Sequence, residues 1–174
     1  GSVITTNGID GNAFAFNRNT YIDVGNVLGL TGVLTQMTVS LWFNIPTSAV
    51  PGTMLISKWM VAAPATGWTI QNLSNARRLS AALIANYPSE QTQAYTDNTV
   101  PLNDGAWHSL CAMFEVTPTS MTTRIYIDGT DEGVYLSDYA GPHGAVDNPV
   151  TPLILGGRAG LTSPFDGMLD EVRI

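Results

Sequence analysis

Short runs of alternating apolar and polar residues recur along the chain and predict β-strands. In "TVSLWFN", Val39, Leu41 and Phe43 share one face of an extended strand, and the residues between them share the other. Similar runs are rich in β-branched and aromatic side chains and are separated by Gly, Pro, Asn or Asp. They are NAFAFN, YIDVG, GTMLISKW, GWTIQNL, RLSAALIA, HSLCAMFEV, TTRIYIDG, DEGVYL, TPLILGG and GMLDEVRI. The series predicts an all-β antiparallel sandwich or barrel rather than βαβ units.

The residues between the strands support this prediction. Asp128-Gly129 stands between two strand patterns, and an Asp-Gly pair accepts the positive φ angles of a two-residue hairpin turn. Helical periodicity is scarce: "GNVLGLTG" and "NARRLSAAL" are the best candidates, and the second also alternates as a strand. Two long irregular stretches, 86–105 and 137–152, are predicted to be loops, and loops of such length usually have a function.

Length and composition indicate one ordinary domain with ample material for a core. The chain has 174 residues, of which 44% are hydrophobic and 12% charged. We expect residues 3–174 to form this single domain and Gly1-Ser2 to be a remnant of cloning. No apolar run approaches the roughly 18 residues of a membrane span. Cys111 is the only cysteine, so no intrachain disulfide can form, and its apolar surroundings predict a small core residue.

The charge pattern excludes one large class of partner. The formal net charge is -7, and Lys58 is the only lysine. A protein that binds the backbone of DNA or RNA needs clustered Lys and Arg. Here the only adjacent basic pair is Arg77-Arg78, so nucleic acid is not an expected partner.

Several stretches together resemble one known family. They include "GNAFAFNRNTYIDVGN" as an opening hairpin, "MTVSLWFNIP" as a third strand, "LISKW" with "GWTIQN" as a central pair, "LNDGAWHSLCAMFE", "RIYIDGT" and the closing "LILGGRAGLTSPFDGMLDEVRI". In this order and spacing, the sequence resembles a laminin-G-like domain of the concanavalin A-like lectin/glucanase superfamily. The resemblance implies a jelly-roll sandwich of two curved antiparallel sheets, a fold commonly used as a module that binds glycans or protein partners.

The superfamily includes glycoside hydrolases, whose chemistry needs two carboxylates across the sugar. Its glucanase branch carries them as E-x-D-x-E on one strand, and none of the four glutamates here lies two residues from another acid. His108 belongs to the "WH" signature, where the resemblance makes it structural. No G-x-S-x-G elbow, P-loop or zinc-ligand cluster occurs. We therefore expect no catalysis, and a glycosidase that uses Asp128 and Glu115 is the remaining enzymatic alternative.

The closing "LDEVRI" raises the question of a metal. In a regular strand, Asp170 shares a face with Val172 and Ile174, and an unpaired carboxylate on an apolar face costs several kcal/mol. The last strand of jelly-roll modules commonly lies beside the first, where oxygen ligands are available for a structural calcium ion. The predicted ligands are Asp170, Asp10, Asn12, Asn17 and Asp23. The alternative is that Asp170 accepts backbone N–H groups or pairs with Arg18 or Arg158.

A second calcium ion is conceivable at the long loop 137–152, where related modules hold a calcium that contacts the ligand. Its ligands would be Asp138, Asp147 and Asn148, and the alternative is that these are solvated loop residues.

Aromatic side chains in the predicted loops are the candidates for ligand contact. Sugars stack their C–H faces on aromatic rings, while amides and carboxylates bind the hydroxyls. The candidates are Trp59, Tyr87, Tyr95, Tyr139 and His143. The alternative role of Trp59 and the tyrosines is to hold the loops to the body of the domain. By contrast, Trp42, Trp68 and Trp107 stand in family signature strands and are predicted to lie in the core.

The leading functional hypothesis is a non-catalytic carbohydrate-binding module of a larger extracellular or surface protein. The rival is a structural or interaction module, such as a virion decoration or tail component or a protein-binding adhesion domain. The expected partner is a glycan or a surface protein, on a cell or a virion, with no membrane insertion. Oligomers or a larger assembly are compatible with the low charge density.

Overall fold

A computed structural model describes residues 4–26, 35–59, 65–73, 78–97, 101–144, 146, 151–160 and 162–174. Every regular element within these residues is a β-strand. The strands are β1 (Ile4–Asn7), β2 (Asn12–Asn17), β3 (Ile22–Gly25), β4 (Gln36–Asn44), β5 (Thr53–Trp59), β6 (Gly67–Asn72), β7 (Leu79–Asn86), β8 (Glu90–Thr96), β9 (Trp107–Thr117), β10 (Ser120–Ile127), β11 (Thr130–Asp131), β12 (Gly133–Ser137), β13 (Tyr139–Ala140), β14 (Leu153–Leu155) and β15 (Asp166–Arg173).

The strands form two antiparallel sheets. The eight-stranded sheet has the order β1-β2-β15-β4-β9-β10-β11, and β13 pairs with β10 beside it. The seven-stranded sheet has the order β12-β8-β7-β6-β5-β14-β3. The last strand β15 thus pairs with β2 of the first hairpin in the eight-stranded sheet. Two such sheets face to face form the predicted jelly-roll sandwich, and this prediction is confirmed.

The core lies between the sheets and follows the alternation in the sequence. Val39, Leu41 and Phe43 of β4 are buried as predicted, while Thr38 on the same strand is exposed. Trp68 of the opposite sheet packs 6.2 Å from Phe114, measured between ring centroids, so it is a core residue as predicted. The Asp128-Gly129 turn is also confirmed, because both residues have positive φ and Ile127 pairs with Thr130.

The single lysine lies inside the sandwich. Lys58 pairs in register with Trp68, which places it on the core side of β5, and it is 1% exposed. Its Nζ donates a hydrogen bond of 2.8 Å to the carbonyl oxygen of Thr151. A buried charge is costly unless it is hydrogen-bonded, and this bond satisfies one of the Nζ donors. The same bond connects β5 to the segment that leads into β14.

Three predicted core positions are wrong. Trp42, Trp107 and Cys111 are partly exposed on the eight-stranded sheet and point away from the core. The register explains this: Trp42 pairs with Ser109, and Cys111 lies two positions further along the same face of β9, opposite Ser40. Burial raises the pKa of the Cys111 thiol. The apolar run around Cys111 was misleading because β9 alternates strictly, and Leu110 and Ala112 take the core positions.

Two predicted loops and one predicted hairpin also differ from the structure. The stretch 86–105 contains β8, and the stretch 137–152 contains β13. The alternation of "NARRLSAAL" is that of strand β7, whereas the candidate helix "GNVLGLTG" lies mostly outside the described residues. The predicted opening hairpin is divided between the sheets: β2 pairs with β1 and β15, but β3 pairs with β14. Within the described ranges, no helix is long and apolar enough to cross a membrane.

Candidate functional site

The face of the seven-stranded sheet that points away from the core, called the outer face below, gathers most of the predicted ligand-binding residues. Neighbouring positions across the strands form rows, because antiparallel partners share a face. One row runs Gln71, Ser80, Tyr95 across β6, β7 and β8. The next two rows are Ser57, Thr69, Ala82, Gln93 and Trp59, Gly67, Ile84, Gln91.

Amide side chains on the outer face are fixed by hydrogen bonds. Nε2 of Gln71 and Nε2 of Gln93 each donate to Oγ of Ser80 over 3.1 Å. The hydroxyl of Tyr95 donates to Oε1 of Gln93 over 2.7 Å, and burial raises the pKa of Tyr95. Ser80 is fully buried, whereas the glutamines and Tyr95 are partly exposed. This polar ladder holds donors and acceptors in place at the edge of solvent.

An aromatic cluster of Trp59, Tyr87 and Arg158, called the Trp59 cluster, lies beside the polar ladder. The rings of Trp59 and Tyr87 are 5.9 Å apart with an interplanar angle of 56°. The guanidinium carbon of Arg158 lies 5.0 Å from the centroid of the Trp59 ring, a cation–π arrangement. Tyr87 is 52% exposed, so its ring is open to a ligand.

The connection after β14 brings Arg158 to this cluster. Ser57 Oγ, on the outer face of β5, donates to the carbonyl oxygen of Gly157 over 2.9 Å. The connection therefore folds back over the outer face, which explains why β5 is buried on both sides. Sequence reasoning named Arg158 only as a partner for Asp170, because nothing in the sequence indicates that it meets Trp59.

Tyr139 and His143 form a second pair, with ring centroids 6.2 Å apart and nearly perpendicular planes. The Tyr139 hydroxyl donates to the carbonyl of Pro142, and Nε2 of His143 lies 2.7 Å from the carbonyl oxygen of Thr117. The N–H of Gly144 donates to Oε2 of Glu90 over 2.9 Å, which attaches this segment to the β7–β8 hairpin. These bonds hold the segment to the body of the domain, which is the alternative role considered for Tyr139.

Asp170 is buried by the turn between β1 and β2, not by the core. A β-bulge between Asp170 and Arg173 breaks the alternation, and Glu171 has a φ of 48°. Leu169 and Val172 consequently face the core, while Asp170 pairs with Trp42 on the opposite side. The predicted placement of Asp170 on the apolar face with Val172 is therefore wrong.

The Asp170 carboxylate accepts three backbone hydrogen bonds. Oδ2 accepts from the N–H of Ile9 over 2.7 Å and of Asp10 over 3.1 Å, and Oδ1 accepts from the N–H of Glu171 over 2.8 Å. The carboxylate is 6% exposed. Backbone donors of this kind stabilise a buried carboxylate, which was one of the two alternatives left open.

Two of the other four predicted calcium ligands, Asn17 and Asp23, lie away from Asp170. Asp10 reaches it through its backbone N–H. Asn17 pairs with Asp166, about 13 Å along β15 from Asp170 at roughly 3.3 Å per residue. Asp23 lies in the other sheet, and its Oδ1 accepts the N–H of Gly25. Asn12 pairs with Asn7 where β2 begins.

As a set these residues do not fit one ion, and calcium binding stays a prediction. In the described part of the chain, no group of three or more His, Cys, Asp and Glu side chains is placed to hold a metal. Of the second predicted set, Asp138 pairs with Arg124 over 3.3 Å, and Asp147 and Asn148 lie outside the described residues.

His108 is held between two carboxylates. Its Nδ1 lies 2.7 Å from Oδ2 of Asp128, and its Nε2 lies 3.2 Å from Oδ1 of Asp104. Burial acts to lower the pKa of His108, but the two carboxylates outweigh it and raise the pKa. The ring also packs 5.6 Å from Phe43. Since both ring nitrogens are engaged, the arrangement is that of a residue that links the β9 entry to the β10–β11 turn.

The geometry argues against the glycosidase alternative. Asp128 bonds to the N–H of Ser109, and Glu115 lies six positions further along β9. Six residues of strand span about 20 Å. Paired carboxylates of glycoside hydrolases are roughly 5 to 9.5 Å apart, so Asp128 and Glu115 cannot act on one glycosidic bond.

Comparisons with known proteins agree with the fold. The family model described as the concanavalin A-like lectin/glucanases superfamily matches residues 16–174. The carbohydrate-binding module CBM40 of the Ruminococcus gnavus IT-sialidase, bound to α2,3-sialyllactose, is similar with a TM-score of 0.64 and 16% identity over 99% of this chain and 90% of that one. No curated protein sequence matches significantly.

Two further solved structures show the same architecture. Domain 4 of AbnA, an extracellular arabinanase of Geobacillus stearothermophilus, in complex with arabinotriose, gives a TM-score of 0.56 and 19% identity over 99% of this chain and 74% of that one. Domains LG4-5 of the mouse laminin α1 chain give a TM-score of 0.58 and 16% identity, over 92% of this chain and 40% of that one. The shared fold is that of a jelly-roll module. The chain belongs to the concanavalin A-like lectin/glucanases superfamily, in its laminin-G-like branch.

Proposed function

We propose that the protein is a non-catalytic carbohydrate-binding module of a larger extracellular or surface protein, and that it binds glycans on the outer face. The observation that carries this proposal is the Trp59 cluster beside the polar ladder. Tyr87 offers an exposed ring for the C–H face of a sugar, and Gln91 and Gln93 offer amide groups for its hydroxyls. Tyr95 orients one of these amides.

The comparisons support the proposal by analogy of fold. Two of the similar structures hold oligosaccharides, sialyllactose in one and arabinotriose in the other. Fold does not by itself fix function, so the argument depends on the residues of the outer face. Rings that are both exposed and fixed by neighbours lose little entropy when a ligand binds, which favours them as binding platforms.

A glycan array with the purified domain tests the proposal. We expect binding that is lost in Tyr87→Ala, because this change removes the exposed ring without touching the core. The matched control is Trp42→Ala, a partly exposed aromatic on the other sheet, which should retain binding. The array is run with calcium and with EDTA, so that the predicted calcium dependence is tested in the same experiment. A Tyr87→Ala/Tyr139→Ala double variant tests whether the second aromatic pair contributes.

Silence on the array in both conditions would contradict the proposal. Binding that survives Tyr87→Ala but is lost in Trp42→Ala would move the site to the other sheet.

A second candidate function has an observation of its own. Ile4, Ile9 and Phe14 are 64%, 45% and 39% exposed at the N-terminal hairpin, where β1 is the edge strand of its sheet. Exposed apolar residues beside an unpaired strand edge favour contact with another protein. The alternative is therefore an interaction module, such as an adhesion domain or a virion component. Sedimentation of the array-silent domain as an oligomer that Ile4→Ser/Phe14→Ser converts to monomer would favour it.

A further inference from the structure

The guanidinium group of Arg158 is held in one orientation by its own loop. The N–H of Arg158 donates to the carbonyl oxygen of Thr162 over 3.1 Å, and its Nε donates to Oγ1 of Thr162 over 2.8 Å. The group also lies over the Trp59 ring at 5.0 Å. The hydrogen bond at Nε and the Trp59 ring beneath leave the guanidinium little rotational freedom.

The other edge of the guanidinium carries the hydrogen-bond donors of Nη1 and Nη2. Arginine has five N–H donors, and Nε uses one of them here. Among the described residues, Nη1 and Nη2 of Arg158 form no hydrogen bond or ion pair, although the chain has 14 acidic residues against 7 basic ones. Burial lowers the pKa of Arg158, because removal from water disfavours the charged form. A partly desolvated cation with a free donor edge is arranged to receive an anion.

The other charged groups of the domain are compatible with an anion at Arg158. Glu90, the carboxylate of the β7–β8 hairpin, already accepts the N–H of Gly144. Arg78, just before β7, acts electrostatically on Tyr95, but it lies six residues along β7 from the Trp59 row, about 20 Å away, and so is not part of the cluster. The acidic character of the whole chain opposes an anionic ligand only weakly, because in about 0.15 M salt charges more than roughly 8 Å away are screened.

We propose that the Trp59 cluster binds a sugar that carries a carboxylate, with Nη1 and Nη2 of Arg158 donating to the two carboxylate oxygens. This inference rests on the proposed function and specifies its ligand class. Guanidinium and carboxylate match as planar two-bond partners, and lysine cannot reproduce that geometry. The sugar ring stacks on the exposed Tyr87, since Arg158 already covers the Trp59 ring.

Calorimetry with paired oligosaccharides tests the inference. One pair is an oligogalacturonate and its methyl ester, and the other is sialyllactose and lactose, so that uronic and sialic acids are distinguished. We expect the charged member of one pair to bind about 10-fold to 100-fold more tightly, the range expected for hydrogen bonds to charged groups. Arg158→Gln should abolish this preference, and Arg158→Lys should restore only part of it. Arg173→Gln, an arginine of the other sheet, is the matched control and should keep the preference.

The failures of the two proposals are distinguishable. Equal binding of charged and neutral members, lost in Tyr87→Ala, would overturn the inference and leave the glycan-binding function intact. A preference for charge that persists in Arg158→Gln would overturn the assignment to Arg158. Absence of binding to these pairs and to every glycan on the array would overturn both.

Discussion

At the scale of single residues, Asp170 shows how one carboxylate joins the two ends of the chain. Its oxygens accept the N–H groups of Ile9 and Asp10 from the first turn and of Glu171 from its own strand. The turn is packed so closely that a Cβ on Gly8 would overlap Oδ2 of Asp170. Both acidic residues of the last strand thus have a structural role. Asp170 anchors the N-terminal hairpin, and Glu171 occupies the bulge.

Replacement of Asp170 by alanine is expected to destabilise the domain by on the order of 3 kcal/mol. An N–H that loses its acceptor costs about 1–3 kcal/mol, and because the three N–H groups here are only partly buried we expect about 1 kcal/mol for each. Asp170→Asn keeps one acceptor oxygen and should lose less. The measurement is urea denaturation followed by tryptophan fluorescence, and Asp166→Ala on the same strand is the matched control. Equal stability of Asp170→Ala and Asp166→Ala would show that the backbone donors do not stabilise the fold.

The His108 cluster is expected to make stability depend on pH from two sides. The folded pKa of His108 is raised, so its contribution is fully present below the unfolded value of 6.5 and is lost as pH rises through the folded pKa. The hydrogen bond from the Ala106 N–H is the largest cause that lowers the pKa of Asp104. Burial acts to raise the pKa of Asp128, but the His108 hydrogen bond and the Ser109 N–H outweigh it and lower that pKa.

The carboxylate contributions are therefore present above the unfolded value of 3.8 and are lost as pH falls through the lowered folded pKa values. Melting temperatures measured between pH 3 and pH 9 check both limbs. Relative to wild type, His108→Gln should remove the part of the decline that occurs above pH 6.5. An identical decline in the two proteins would exclude His108 as its source.

At the scale of elements, hydrophobic alternation predicted strands well where one face is apolar. Strand β4 has Val39, Leu41 and Phe43 on the core side, and its strand was predicted from them. Strand β8 escaped prediction because its buried face consists of Thr92, Ala94 and Thr96 and its outer face is equally polar. Strand β8 is paired on both edges, by β12 and β7, and a strand held in this way needs no hydrophobic stripe. The sequence "EQTQAYT" therefore looks like that of a loop.

The bulge in β15 limited prediction in a different way. Face assignment along a strand assumes a period of two, and one extra residue reverses every later assignment. Sequence gives no sign of the positive φ at Glu171, since a bulge is set by the partner strand and the turn packed over it. The calcium hypothesis depended on the regular period, and so did the expected apolar surroundings of Asp170.

At the scale of the whole molecule, the sequence predicted the sandwich and several residues of the outer face but not their assembly. Trp59 and Tyr87 were candidates because aromatic residues near loops suggest ligand contact, and the structure brings them together. Arg158 joins them because the connection after β14 is held to β5 by the hydrogen bond from Ser57 to Gly157, two residues that are 100 positions apart in the sequence. Contacts over such separations are set by sheet topology, which local patterns do not contain.

The topology also predicts different effects of shortening the chain at its two ends. Strand β15 lies between β2 and β4 inside the eight-stranded sheet, whereas β1 is an edge strand. Deletion of residues 164–174 is expected to abolish cooperative unfolding, because it removes the centre of a sheet and the acceptor of the first turn. Deletion of residues 1–7 should leave a folded domain with a lower melting temperature. Circular dichroism melts compare the two, and a cooperative transition after the C-terminal deletion would contradict the prediction.

The central position of β15 has a consequence for biosynthesis. A ribosome makes the chain from its N-terminus, so β2 and β4 are complete while the strand that joins them does not yet exist. During that interval each exposes a strand edge to the cytosol or to a translocation pore. The eight-stranded sheet therefore cannot be completed until the residues of β15 emerge. It also follows that a synthetic peptide of residues 164–174, added to the shortened chain, should restore the fold as a split protein.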